Sequence, residues 1–123
     1  KNFIRMFGSI PATLDACRRL PGFARVVQIR GITAPVEEET LQAAEGGAAI
    51  LMVDTGDLTD LERCLAALRQ CGRREQIEVA FAGNVRLTDI PELAGRGIDV
   101  LCIGKEIVDA KLLDMKLDVL GEE

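Results

Sequence analysis

The sequence predicts an α/β fold in which four parallel βα units form a half or incomplete (β/α) barrel, with a C-terminal strand reserved for a separate sheet. Three observations predict it. Four short β-rich runs alternate with helical patterns. Two of those runs are almost continuously apolar, as parallel strands covered on both faces are. The chain then ends on an alternating pattern that does not belong to the series.

The elements follow in order. Ser9 is placed to cap a helix over 11–20, with Pro11 early in it. Residues 25–30 (RVVQIR) form the first strand pattern. A helix over 37–44 carries acids in its first turn and stops at Gly46-Gly47. Residues 48–54 (AAILMVD) form the second strand. In 58–71, Leu58, Leu61, Leu65 and Leu68 make one apolar stripe, and Gly72 ends it. Residues 77–82 (IEVAFA) are the third strand. Thr88 is placed to cap a helix over 89–94, before Gly95 and Gly97. Residues 98–103 (IDVLCI) are the fourth strand, and 105–112 a last, weaker helix. In 114–119 (DMKLDV), Met115, Leu117 and Val119 alternate with Asp114, Lys116 and Asp118, the pattern of a half-buried strand. The organisation expected is a half-barrel over 1–112 and a C-terminal strand and tail over 113–123.

Composition narrows the chemistry. The 123 residues suit one domain and are about half of what a closed barrel takes. With no His, the chain has no Ser-His-Asp triad, Cys-His dyad or His-ligated metal of its own. With no Trp or Tyr and four Phe, it lacks a base-stacking surface. A net charge of −5 opposes a nucleic-acid backbone, so no nucleic-acid partner is expected. No run approaches the length of a membrane span, and no signal-peptide pattern is seen, so a cytoplasmic location without membrane contact is expected. Cys17, Cys64, Cys71 and Cys102 include no Cys-x-x-Cys pair. Cys64 and Cys71 lie two helical turns apart, as a redox or metal pair or as two small buried apolar residues; the second is expected.

Two glycine turns follow the last two parallel strands: Gly83-Asn84 and Gly104-Lys105. Glycine lets backbone N–H groups approach a ligand, so each turn could cradle a phosphate, with Lys105 adding a charge. The alternative is that both merely make tight turns. Asp54 ends a buried apolar strand, where α/β folds bind ligands, or it is a turn-former in Asp-Thr-Gly-Asp. Arg30 ends the first strand, as an anion ligand or as a solvated charge. Glu37-Glu38-Glu39 reads as a solvated helix start.

Residues 83–90 (GNVRLTDI), then 97–100 (GIDV) and Ile103-Gly104, resemble the C-terminal part of the quinolinate phosphoribosyltransferase family, also called nicotinate-nucleotide pyrophosphorylase (carboxylating). The opening 1–4 (KNFI), the strand 51–54 (LMVD) and the ending 113–118 (LDMKLD) are similar to family segments as well. The resemblance implies an incomplete barrel joined to an N-terminal α/β sandwich, working as a dimer or larger assembly. It implies transfer of a phosphoribosyl group from phosphoribosyl pyrophosphate to quinolinate with loss of CO₂, and Mg²⁺ where phosphoribosyl pyrophosphate binds. It puts Gly83, Asn84, Gly104 and Lys105 in phosphate-binding turns and Asp54 toward the ribose or metal; Arg30, from its place at the end of the first strand, joins Asp54 as a candidate substrate-binding residue. Against the family pattern, Phe3 stands for His, Gln28 and Arg30 for acids, Thr55 for Asn, and Ala80 and Ala82 for Glu and Ser. The expectation is a non-catalytic binding or assembly module that retains a phosphate site for a phosphorylated small molecule. The alternative is an active phosphoribosyltransferase, or a truncated part of one, acting on a pyridine carboxylate. A homo-oligomer or a missing N-terminal half would complete the fold.

Overall fold

In the computed structural model, which describes residues 2–20, 22–113 and 115–118, two helices precede four strand-helix units. The helices are α1 (Asn2–Phe7), α2 (Ile10–Cys17), α3 (Val36–Glu45), α4 (Leu58–Gln70), α5 (Ile90–Leu93) and α6 (Lys105–Val108). The strands are β1 (Val26–Ile29), β2 (Ile50–Asp54), β3 (Glu78–Ala82) and β4 (Val100–Leu101). They form one parallel sheet in the order β1-β2-β3-β4. The register aligns Gln28, Met52, Ala80 and Val100 across it.

Pleating sends alternate residues to opposite faces. Val27 and Ile29, Leu51 and Val53, and Val79 and Phe81 are buried in one core with Val36, Ala43, Leu61, Cys64, Leu65 and Leu68 of α3 and α4. On β2, Ile50, Met52 and Asp54 are only half-buried. The apolar character of this strand therefore reflects one covered face and a second left half open by this chain. In a closed barrel that second face would be filled by layers of side chains.

Local signals explain the longer helices. The Ala12 N–H donates to Ser9 Oγ at 3.2 Å and starts α2, whose Ile10 and Leu14 are buried. The Thr59 N–H donates to Asp57 Oδ1 at 2.8 Å and starts α4. Gly72, at φ +69°, takes the left-handed conformation just beyond its end. The turn into β4 is locked by Arg74, which donates to the carbonyls of Ile77 and Gly97 and meets Asp99 Oδ2 at 2.9 Å. Asp99 also accepts from the Val79 N–H at 2.7 Å. Burial alone would raise the Asp99 carboxyl; the Val79 and Arg74 contacts outweigh it and hold the group below its ordinary range.

Several expectations are corrected. The opening residues form α1, which periodicity did not predict. Thr88 caps nothing. Asp89 Oδ2 accepts from the Arg86 N–H at 2.9 Å and closes a 3₁₀ turn over Leu87–Asp89, leaving only one turn of α5. The last helix ends at Val108 rather than at 112. Ile107, Val108 and Leu112 are exposed, and a helix without a packed face does not propagate. Cys64 is buried but Cys71 is exposed, because the chain leaves its helical path there. All four cysteines are free thiols. Of the alternating segment, Asp114 and Val119 lie outside the described residues. Residues 115–118 join no strand of the sheet, and Met115 and Leu117 are exposed.

Candidate functional site

The C-terminal ends of β2, β3 and β4 surround a cavity of about 380 Å³. Asp54, Ala82, Gly83, Asn84, Val85, Cys102, Gly104 and Lys105 line it. Five of the six residues singled out in the sequence thus meet around one space. The sixth, Arg30, stands behind Asp54: its Nη1 lies 3.4 Å from Asp54 Oδ2. Gln28 Nε2 donates to the same oxygen.

The two glycine turns differ in kind. Gly83 has φ +111°, and a methyl group on it would overlap the backbone of Gly56 and Thr55. The Gly56 N–H donates to the Ala82 carbonyl at 3.0 Å, so the loop after β2 is pressed against the end of β3. Gly83 is therefore required by close backbone approach, whatever ligand the turn meets. Asn84, at φ +60°, is the one non-glycine residue with positive φ among those described, and it lines the cavity. Gly104 has an ordinary negative φ, and a methyl group there would touch nothing within 4 Å. Its missing side chain leaves open space at the cavity.

The helices behind these turns, α5 and α6, are four residues each, so their dipoles add little. What the arrangement offers an anion is the Lys105 ammonium, the Asn84 side chain and close backbone access at Gly104. The Leu87 N–H donates to Glu106 Oε2 at 2.7 Å and ties the two turns together. A magnesium ion is poorly served. Among the described residues Asp54 is the one carboxylate lining the cavity, and Arg30 and Gln28 already engage it. Among the described residues no group of three or more His, Cys, Asp or Glu could hold a metal ion.

Glu39 is the residue that the sequence reading missed. Expected in a solvated run, it is 3% exposed. Its Oε2 accepts from the N–H groups of Arg30 and Gly31, and its Oε1 from the N–H groups of Ile32 and Thr33, at 2.8 to 2.9 Å. The Thr33 hydroxyl donates to Oε1 as well, at 2.8 Å. Burial would raise this carboxyl, but the hydrogen bonds from Thr33, Arg30 and Gly31 win and hold it below its ordinary value. The missed signal is periodic. Val36, Glu39, Thr40 and Ala43 fall on one helical stripe, so Glu39 has to face inward.

A four-stranded parallel α/β sheet with a cavity at the carboxyl ends of its strands defines a protein of the half-barrel α/β class. The sequence profile of the family described as quinolinate phosphoribosyl transferase, C-terminal domain, matches residues 1–118, and the chain belongs to that family. It is 29% identical over 121 residues to the nicotinate-nucleotide pyrophosphorylase (carboxylating) of Rattus norvegicus, covering 98% of this chain and 39% of that protein. It is 25% identical over 120 residues to a probable nicotinate-nucleotide pyrophosphorylase (carboxylating) of Methanothermobacter thermautotrophicus, covering 98% of this chain and 42% of that one. The crystal structure of NadC from Streptococcus pyogenes superposes with a TM-score of 0.65 at 24% identity, over 85% of this chain and 34% of that one, a likeness of fold. The chain thus spans about two fifths of the curated relatives it matches. No helix among the described residues is long and apolar enough to cross a membrane.

Proposed function

We propose that this domain binds a phosphorylated small molecule in the cavity between Gly83-Asn84 and Gly104-Lys105, and that it is a non-catalytic binding or assembly module. One observation carries the second half of that reading. The single carboxylate lining the cavity among the described residues, Asp54, is engaged by Arg30 and Gln28, which stand where the family resemblance leads one to expect acids. A phosphoribosyl transfer develops positive charge on the ribose, and a carboxylate already paired with a guanidinium offers it little stabilisation. Ala80 and Ala82, on the neighbouring strand, supply no replacement.

The relatives' names favour a second reading: a part of an active pyrophosphorylase whose remaining residues lie elsewhere. A turnover assay with quinolinate, phosphoribosyl pyrophosphate and Mg²⁺ separates the two. The expected result is no CO₂ release above the uncatalysed rate from this chain. Saturable release, lost in Lys105→Ala, would establish the catalytic reading instead.

We also propose that the domain functions with its open sheet face and edges covered, by a second copy or by a further segment of the same protein. The support is an apolar groove of about 540 Å³ between α1, α2 and the outer strand β1, with Phe3, Phe23 and Val26 exposed around it.

A further inference from the structure

We propose that Glu39 is a positioning residue for the anion cavity, acting through the loop 30–33 to hold the Arg30 guanidinium against Asp54. This inference rests on reading the cavity as a phosphate site. Four successive backbone N–H groups, Arg30 through Thr33, converge on one buried carboxylate, and the Thr33 hydroxyl completes the set. Arg30 is both the first residue of that loop and the partner of Asp54. Its guanidinium and the Asp54 carboxylate are about a third and a quarter exposed. A pair so exposed is weak by itself, and its occupancy depends on how firmly the backbone carrying the long side chain is fixed. Glu39 supplies that fixing from the first turn of α3.

The consequence falls on the ligand. Without Arg30, Asp54 would keep its hydrogen bond from Gln28 but place an unneutralised negative charge on the wall that an arriving phosphate must meet. Arg30 offsets it, and Glu39 keeps Arg30 in place. A buried carboxylate that merely stabilised the fold would lower phosphate affinity, if at all, equally whether or not Arg30 was present. A positioning residue acts only through Arg30, so the two substitutions must be coupled.

The test is calorimetric titration of the whole chain with inorganic phosphate, for the unaltered protein, Glu39→Gln, Arg30→Ala and the double variant. Glu39→Gln is expected to weaken binding about fivefold to tenfold alone and less than about twofold once Arg30 is Ala. Equal losses in both backgrounds, or no loss in the first, overturn the proposal. Should Glu39→Gln fail to fold, Thr33→Val takes its place. It removes one donor and leaves the carboxylate, and is expected to weaken binding about twofold to threefold, again only with Arg30 present. An unaltered chain that gives no heat with millimolar phosphate overturns the cavity reading and this inference together. Binding without coupling overturns the inference alone.

Discussion

Two glycines that look alike in sequence separate sharply at the residue scale. Gly83 sits at positive φ against the backbone of Gly56, so Gly83→Ala combines backbone strain with overlap. It is expected to cost more than about 2 kcal/mol in urea denaturation. Gly104→Ala meets open space at a negative φ and is expected to stay within about 0.5 kcal/mol of the unaltered chain. Gly104 is therefore the position at which cavity volume can be altered without altering the fold. Glu39 gives a pH signature. Its folded carboxyl lies below its ordinary value of 4.5, so the stabilisation it contributes is full above that value and is lost as pH falls through the lower, folded one. Acid titration of stability should fall more steeply below pH 4.5 for the unaltered chain than for Glu39→Gln. Parallel curves would contradict the assigned hydrogen bonds. By composition Glu39 is one charge in a run of three acids; its stripe position, which the sequence does carry, outweighs that chemistry because loop 30–33 offers it five donors.

At the scale of elements, the strands are readable because each is a short apolar run ending in turn-forming residues. The stripe of Leu61, Leu65 and Leu68, with Cys64 beside it, is enough by itself to specify α4 and the face it buries. Its cap is a local device, and Asp57→Ala is expected to cost about 1 kcal/mol, read as a lower urea midpoint with an unchanged slope. Less is readable where a tertiary or competing local contact decides. Thr88 has the right chemistry for a cap, but Asp89 reaches back to the Arg86 N–H and makes a 3₁₀ turn instead. The helix α5 is held to one turn by the 3₁₀ turn before it and by Gly95, at φ +80°, just beyond it, whereas α6 stops short because it buries no side chain. Their shortness shifts the burden of anion binding from helix dipoles to Lys105, Asn84 and backbone access.

On the scale of the whole molecule, strand-helix alternation is enough to set a parallel four-stranded sheet, and its order follows the chain. What alternation does not encode is closure. One face of the sheet is packed under α3 and α4, while the other, with Met52 and Asp54, is half covered, and β1 and β4 are the outer strands. Apolar side chains of Ile107, Val108, Leu112, Leu113, Met115 and Leu117 are exposed as well. The molecule is expected to sediment as a dimer or larger at micromolar concentration when studied alone. A folded monomer at every concentration would contradict that expectation.

The central claim is that the cavity at the strand ends binds a phosphorylated small molecule without needing a metal site of this chain. Calorimetric titration with phosphoribosyl pyrophosphate in the absence of Mg²⁺ tests it most directly. The account predicts saturable binding with a dissociation constant of about 1 mM or lower, abolished in Gly104→Phe while the folded state is retained. No heat at millimolar ligand, or undiminished binding by Gly104→Phe, would contradict it.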